Sequence, residues 1–232
     1  MKKIEDIVVI IQARLSSQRI PQKMIKPFAG TTLTDIAIQK VLSSKVIPRD
    51  NFFVSVYEGE LLDIAKRHRT NIYHRSEKSA YSEGTPMTDM YEWWDKLDFK
   101  YCVLVNACAP FLETETLDGF VETYMETDSD GLFGVMEKKN YFWNKEKELV
   151  TPWPKDQACM NTKVVEPTFE AAHCLYAGRM DTIGEGIWMG DFSKPGDIEL
   201  FSMREEEVMD IDYPWQFDMC ESLYKVKNGI RD

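Results

Sequence analysis

Positively charged side chains gather in one loop near the start of the chain. The stretch VVIIQARLSSQRIPQKMIKPF, residues 8–28, carries four of them: Arg14, Arg19, Lys23 and Lys26. No Asp or Glu occurs from residue 7 to residue 34, although the formal charge of the chain is −11. Backbone N–H groups helped by Arg and Lys side chains bind phosphate. The loop therefore predicts a polyphosphate site, and a solvated basic surface is the alternative.

Two carboxylates near the other end of the chain suit a metal ion. Asp210 and Asp212 lie two residues apart in EEEVMDIDYPWQF, so on a strand they would point to the same face. Such a pair suits an Mg²⁺ ion that keeps several waters and also holds substrate phosphates. The alternative is an ordinary turn before a helix, with Asp212 near the helix cap.

A small polar turn is the third feature that could take part in binding. Asn106 follows an apolar run in VLVNACAPFL, and its side chain offers both a donor and an acceptor to the edge of a nucleobase. A plain turn between a strand and a helix is the alternative. Taken together, the loop, the turn and the carboxylate pair predict a protein that uses a nucleoside triphosphate with Mg²⁺.

Alternating strands and helices must position these groups. Apolar runs predict strands at 6–13, 52–57, 71–75, 101–107 and 131–136, and helical periodicity or helix-start signals predict helices at 32–42, 59–69, 85–97, 114–126 and from 214 to 227. This alternation predicts an α/β fold with a doubly wound, mostly parallel sheet. Because ligands bind beyond the carboxyl ends of such strands, the basic loop after the first strand lies where a ligand belongs.

Residues 137–172 break this pattern. The segment is polar, aromatic and punctuated by proline, which indicates an excursion of hairpins and loops, and we expect it to form an oligomer contact. Regular structure is expected to resume at residues 173–180.

Composition narrows the class of protein further. The chain of 232 residues suits a single domain, 1–232, and its pI of about 4.9 argues against nucleic acid or an anionic membrane as partner. We expect no signal peptide and no membrane helix. Five cysteines without CxxC spacing predict free thiols in a cytoplasmic protein, and three scattered histidines argue against zinc.

The first and last of these segments resemble one family. ARLSSQRIPQKM is similar to the A-R-x-G-S-K-R-I-P-x-K-N loop of the acylneuraminate and Kdo cytidylyltransferases, and IIQAR with S-x-R-I-P-x-K also resembles the spore-coat polysaccharide biosynthesis branch. NACAPFL is similar to the Q-P-T-S-P-L stretch of that family, and DIDYPWQF to its closing D-I-D-T-x-x-D-F/L segment.

The resemblance implies a Rossmann-like enzyme that transfers CMP from CTP to a small acidic sugar and releases pyrophosphate. It implies a homodimer with an arm at residues 140–172, and Mg²⁺ at Asp210 and Asp212. Arg14, Lys23 and Asp212 would then be catalytic. The substrate contacts that we expect are Ala13, Arg14, Ser17, Arg19, Lys23, Asn106, Ala107 and His173.

Departures from the family pattern leave alternatives open. Ser16, Gln18 and Met24 replace a glycine, a lysine and an asparagine of the loop, and EAAHCLYA replaces R-L-N-G-A-I-Y-I at the sugar side. His173 is a candidate contact to a different acceptor and a candidate proton acceptor. A related enzyme with another nucleotide or a phosphorylated acceptor, or a nucleotide-binding protein without turnover, remains the alternative.

Overall fold

A mixed sheet with helices on both faces forms the body of the computed structural model, which describes residues 1–81 and 84–230. Within these residues the strands are β1 (Ile7–Gln12), β2 (Phe52–Val56), β3 (Asn71–His74), β4 (Tyr101–Val105), β5 (Gly131–Lys138), β6 (Thr168–Arg179) and β7 (Ile198–Ser202). The α-helices are α1 (Leu33–Leu42), α2 (Gly59–His68), α3 (Glu77–Ala80), α4 (Met87–Met90), α5 (Thr114–Glu126), α6 (Asp181–Gly184) and α7 (Pro214–Lys227).

The sheet has the order β3-β2-β1-β4-β6-β5-β7, and β6 runs antiparallel to its neighbours β4 and β5 while the other pairings are parallel. The prediction of a mostly parallel, doubly wound α/β fold is confirmed. The five residues Ile7–Ile11 are fully buried, because β1 lies between two neighbouring strands and has helices on both faces. An apolar run without alternation is what such a position requires.

The helix predicted at 85–97 is interrupted. It is replaced by α4 and a 3₁₀ turn at Glu92–Asp95. The side chains of Gln12 and Ser79 both donate to the Met90 carbonyl, at 3.3 and 2.9 Å, and fully buried Trp93 donates from Nε1 to Gln12 Oε1 at 2.8 Å. Tertiary hydrogen bonds therefore take a carbonyl that a continuous helix would use, and the helix ends there.

Two strand predictions were incomplete. The edge strand β7 was missed because most of its residues are exposed and it carries no buried apolar run. Since β5 extends to Lys138 and β6 begins at Thr168, only residues 139–167 of the predicted excursion lie outside the sheet. That segment contains a 3₁₀ turn at Thr162–Val164 and an antiparallel bridge between Trp143 and Leu149.

No helix in the part of the chain that the structure describes is long and apolar enough to cross a membrane.

Helix α7 packs its first turns against the loop that follows β1. Phe217 is buried and meets the ring of Phe28 edge to face, with centroids 5.3 Å apart. The amine of Lys26 lies 4.3 Å from the centre of the Phe217 ring. Because α7 begins at Pro214, two residues after Asp212, these contacts hold the acidic segment beside the basic loop.

We expect Phe217→Ala to lower the free energy of unfolding by about 3–5 kcal/mol, because it removes a buried ring and leaves a cavity. Chemical denaturation measures this. Trp215→Ala on the same helix is the matched control, since its ring is 61% exposed and its removal should change stability by no more than about 0.5 kcal/mol. Equal losses in both variants would contradict this account of α7.

Candidate functional site

The basic loop forms one wall of an open cavity of about 670 Å³ at the carboxyl end of β1. Among the described residues, its lining consists of Gln12, Ala13, Arg14, Ser16, Ser17, Gln18, Arg19, Lys23, Met24, Tyr81 and Cys108. The five loop residues predicted to contact substrate, Ala13, Arg14, Ser17, Arg19 and Lys23, all belong to this lining. Their roles stay predictions.

Two polar residues that the sequence analysis missed hold the start of this loop. Arg75, buried at the end of β3, donates from Nη1 to the Ala13 carbonyl at 3.2 Å and from Nε to Ser79 Oγ at 3.1 Å. Burial lowers the pKa of Arg75 to about 10. Glu58, just after β2, accepts a hydrogen bond from the Leu15 N–H at 2.7 Å. Both follow the carboxyl ends of strands, and the rule that placed the loop at the site could have identified them.

Lys23 joins the loop to the acidic segment. Its side chain is only 9% exposed, its amine donates to the Ile211 carbonyl, and it lies 3.6 Å from Asp212 Oδ1. Arg19 binds the same carboxylate oxygen at 2.6 Å. Opposite ends of the sequence therefore meet at the cavity through two cations and one carboxylate.

Asp210 and Asp212 do not lie on a strand, so the shared strand face considered for them does not apply. They lie in an irregular segment on either side of Ile211, which is fully buried. The Ile211 N–H donates to the Cys108 carbonyl at 3.0 Å. The segment ends where Gln216 Oε1 accepts from the N–H groups of Asp212 and Tyr213, at 2.7 and 2.8 Å. From the sequence, a turn before a helix was the alternative to a metal site. The structure has that turn, and both carboxylates lie within it.

The surroundings of Asp210 fit a cation. Burial raises the pKa of its carboxyl group, the nearby charge of Asp212 raises it further, and Lys23 and Asn106 partly offset the effect. Asp210 Oδ1 is buried without a hydrogen-bond partner among the described residues. A buried, unpartnered carboxylate oxygen beside a second carboxylate is costly, and a divalent cation would relieve that cost. The described residues contain no group of three or more His, Cys, Asp or Glu side chains able to hold a metal, so phosphate or water would complete the coordination.

Asn106 and Ala107 lie in the turn after β4 but outside the cavity lining. Asn106 Nδ2 donates to the His173 carbonyl at 2.7 Å, and its Oδ1 accepts from the Cys108 N–H at 2.8 Å. Ala107 is buried. The amide that we expected to contact a nucleobase thus holds the turn against β6, and base recognition by Asn106 would require these bonds to open.

His173 lies on β6 beside this turn. Its side chain is exposed, and its Nδ1 lies 2.6 Å from the hydroxyl oxygen of Tyr176. His173 also contributes to the electrostatic environment of Asp210. Asn106 and Cys108 therefore connect His173 to the segment that carries the two carboxylates.

Comparison with known proteins identifies the family to which this chain is similar. A family model described as cytidylyltransferase matches residues 8–181. The chain is similar to the spore coat polysaccharide biosynthesis protein SpsF of Bacillus subtilis (26% identity over 129 residues, 55% of this chain) and spans about half the length of that relative, 53%. It is also similar to the pseudaminic acid cytidylyltransferase of Campylobacter jejuni, with 23% identity over 94% of this chain and 96% of the relative.

Among solved structures, CMP:2-keto-3-deoxy-manno-octonic acid synthetase complexed with CTP has a similar fold. The TM-score is 0.69 at 11% identity, and the match covers 96% of this chain and 99% of the other.

The raised pKa of Asp210 predicts a pH-dependent effect on stability. The folded state binds a proton at Asp210 more readily than the unfolded state, so ionisation of this group costs stability as the pH rises through its folded pKa. We expect Asp210→Asn to melt at a higher temperature than the parent at pH 7 in chelator, and the gain to vanish at a pH below the ordinary pKa of aspartate. Calorimetry across this range, with Asp218→Asn on the exposed side of α7 as control, measures the difference. A gain that persists unchanged in acid would contradict this assignment.

Proposed function

The chain belongs to the cytidylyltransferase family, and we propose that it transfers CMP from CTP to a small acidic sugar, with release of pyrophosphate, for the synthesis of cell-surface glycans. The observation that supports this most is the contact of the cationic loop with the segment of Asp210 and Asp212 through Lys23. The acceptor class that we propose is a nonulosonate or Kdo-like acid, because relatives with such names resemble this chain over most of its length.

The loop is proposed to hold the triphosphate. Arg14, Ser17, Arg19 and Lys23 line the cavity at the carboxyl end of β1, and charge-assisted hydrogen bonds from such groups are strong. Arg19 is half exposed and already pairs with Asp212. It would therefore exchange one oxygen ligand for another when phosphate arrives, while buried Lys23 would keep its contact with the Ile211 carbonyl.

Asp210 and Asp212 are proposed to hold Mg²⁺. Bound there, the ion would neutralise charge on the phosphates and lower the pKa of an acceptor hydroxyl. The protein's own part in the reaction is to align a sugar hydroxyl with the α-phosphorus for in-line attack, and to place Arg14 and Lys23 where negative charge grows on the leaving pyrophosphate.

Pyrophosphate release is the direct test of this function. The protein is incubated with CTP, UTP, GTP or ATP and Mg²⁺, each against a panel of 2-keto acid sugars and sugar phosphates. Release with CTP and a 2-keto acid sugar is the expected result. Release only with another nucleotide or a sugar phosphate would support the related transferase instead, and CTP binding without turnover would support a nucleotide-binding protein.

We also propose that the protein is a cytoplasmic homodimer. All five cysteines are free, with Cys159 exposed and Cys102, Cys174 and Cys220 buried, which is compatible with a reducing compartment. Residues 139–167 lie outside the sheet and expose several large apolar side chains, Phe142, Trp143, Val150 and Trp153, beside exposed Phe169 of β6. An open apolar cavity of about 310 Å³ lies among Phe142, Val150, Pro152 and Phe169. Exposed patches of this kind commonly mark protein contacts.

Arg14→Ala is expected to weaken CTP binding by about tenfold or more, since it removes a charged hydrogen-bond donor. Calorimetric titration with CTP measures this. Lys26→Ala is the matched control: it removes one charge from the same acid-free stretch, but Lys26 does not line the cavity. If both variants lose affinity equally, the loop acts only through its net charge.

Asp212→Asn is expected to melt within a few degrees of the parent, because the shape of the side chain is retained, its N–H still donates to Gln216 Oε1, and Lys23 keeps its hydrogen bond to the Ile211 carbonyl. It removes charge from the proposed ion site, so turnover should fall by roughly two or more orders of magnitude. The assay is Mg²⁺-dependent pyrophosphate release. Normal turnover in this variant would show that Asp210 and Asp212 only form the turn before α7 and do not hold a metal ion.

Val150→Glu is expected to convert a dimer to a monomer, because Val150 is 63% exposed and lines the apolar cavity outside the sheet. Light scattering at micromolar concentration measures the mass. Phe192→Glu is the control, since Phe192 is also exposed but does not line this cavity. A monomeric parent would refute the proposed dimer.

A further inference from the structure

His173 adopts a backbone conformation that glycine adopts most readily and that is uncommon for other residues. Its φ is 54°, in the left-handed region. It lies where β5 and β6 lose register: Phe133 pairs with Tyr176 but Val135 pairs with Ala171, so two steps along β5 correspond to five along β6. The additional residues of β6 bulge out of the ladder at its border with the site, as bulges that redirect side chains do.

Contacts from Asn106, in the turn after β4, hold this bulge in place. The Asn106 N–H donates to the Cys174 carbonyl at 2.9 Å, and Asn106 Nδ2 donates to the His173 carbonyl at 2.7 Å. An unfavourable backbone conformation persists where the surrounding structure fixes it, and such positions concentrate at functional sites. The bulge leaves the imidazole exposed to solvent instead of packed in the core.

Tyr176 orients the imidazole ring. The Tyr176 hydroxyl oxygen lies 2.6 Å from His173 Nδ1. Burial, together with the nearby Cys174 and Asp210, raises the pKa of Tyr176 above its ordinary value, so the phenol keeps its proton. A neutral hydroxyl can accept a hydrogen bond from Nδ1–H, and in that tautomer Nε2 carries a free lone pair.

Hydrogen bonds connect the bulge to the acidic segment. Asn106 bonds both the His173 carbonyl and the Cys108 N–H, at 2.7 and 2.8 Å. The Cys108 carbonyl in turn accepts at 3.0 Å from the N–H of Ile211, which lies between the two carboxylates in the chain. No group of three potential metal ligands forms among the described residues, which argues against His173 as a third ligand. An exposed imidazole with a fixed Nδ1 partner is instead placed to accept a proton.

We propose that His173 Nε2 takes the proton of the acceptor hydroxyl and that Tyr176 is the positioning residue that holds the imidazole ring at Nδ1; this rests on the proposed function. As the hydroxyl oxygen forms its bond to the α-phosphorus of CTP, the bond from that phosphorus to pyrophosphate breaks. The hydroxyl proton moves to Nε2, and pyrophosphate leaves with the electron pair. His173 later returns the proton to solvent.

The test uses His173→Gly, because glycine adopts the left-handed conformation without strain and this variant should melt at or above the temperature of the parent. We expect unchanged CTP affinity by calorimetric titration and a kcat about 100-fold lower, the usual scale of general base catalysis. Added imidazole should restore part of the lost rate. Tyr176→Phe should lower kcat with no change in KM for CTP, and imidazole should not rescue it, since the His173 ring still fills the position.

Asp212→Asn is the control for the rescue, since imidazole should not restore a variant that lacks a carboxylate. A His173→Gly variant with the kcat of the parent, or one whose lost rate imidazole leaves unchanged, would overturn the inference alone. A parent that binds CTP but turns over none of the acceptors would overturn the proposed function and this inference with it.

Discussion

The site depends on the contact between the buried ammonium group of Lys23 and the acidic segment. This group reaches across 188 residues of sequence to the Ile211 carbonyl and lies near Asp212. A lysine this well buried is costly unless its charge is paired and its donors are used, and both conditions are met only when the acidic segment is in place. The same contact therefore stabilises the fold and sets the distance between the cations and the carboxylates.

The strand that differs in direction brings His173 next to the turn after β4. Because β6 runs antiparallel between β4 and β5, it brings a bulge rather than a helix connection to the carboxyl end of β4. Gly134 lies on β5 opposite this irregularity, and a Cβ there would lie 2.6 Å from Met203 Sδ and 3.3 Å from the Leu175 carbonyl oxygen. The backbone of β5 is therefore closely packed at Gly134, directly opposite the part of β6 where the backbone of His173 leaves the ladder.

Unpartnered polar atoms lie mostly around the cavity. Four buried side-chain oxygens and nitrogens have no hydrogen-bond partner in the described chain. Of these residues, Ser16 lines the cavity, Glu58 holds the start of the basic loop, and Asp210 lies in the acidic segment that Lys23 contacts. Folded proteins pair nearly all such groups. Their concentration here, together with the raised pKa of Asp210, is typical of a surface that completes its bonding when it binds a charged ligand.

The sequence alone determined the alternating elements, the loop after β1 and the pair Asp210 and Asp212, because buried parallel strands need long apolar runs and charges in turns are visible as residue types. It could not determine the interruption of the helix at 85–97, the edge strand β7 or the supporting contacts of Arg75. Each of these depends on hydrogen bonds or exposure set by residues far apart in the chain. The conformation of His173 was likewise decided only in the tertiary structure, since no local signal reports a register shift between two strands.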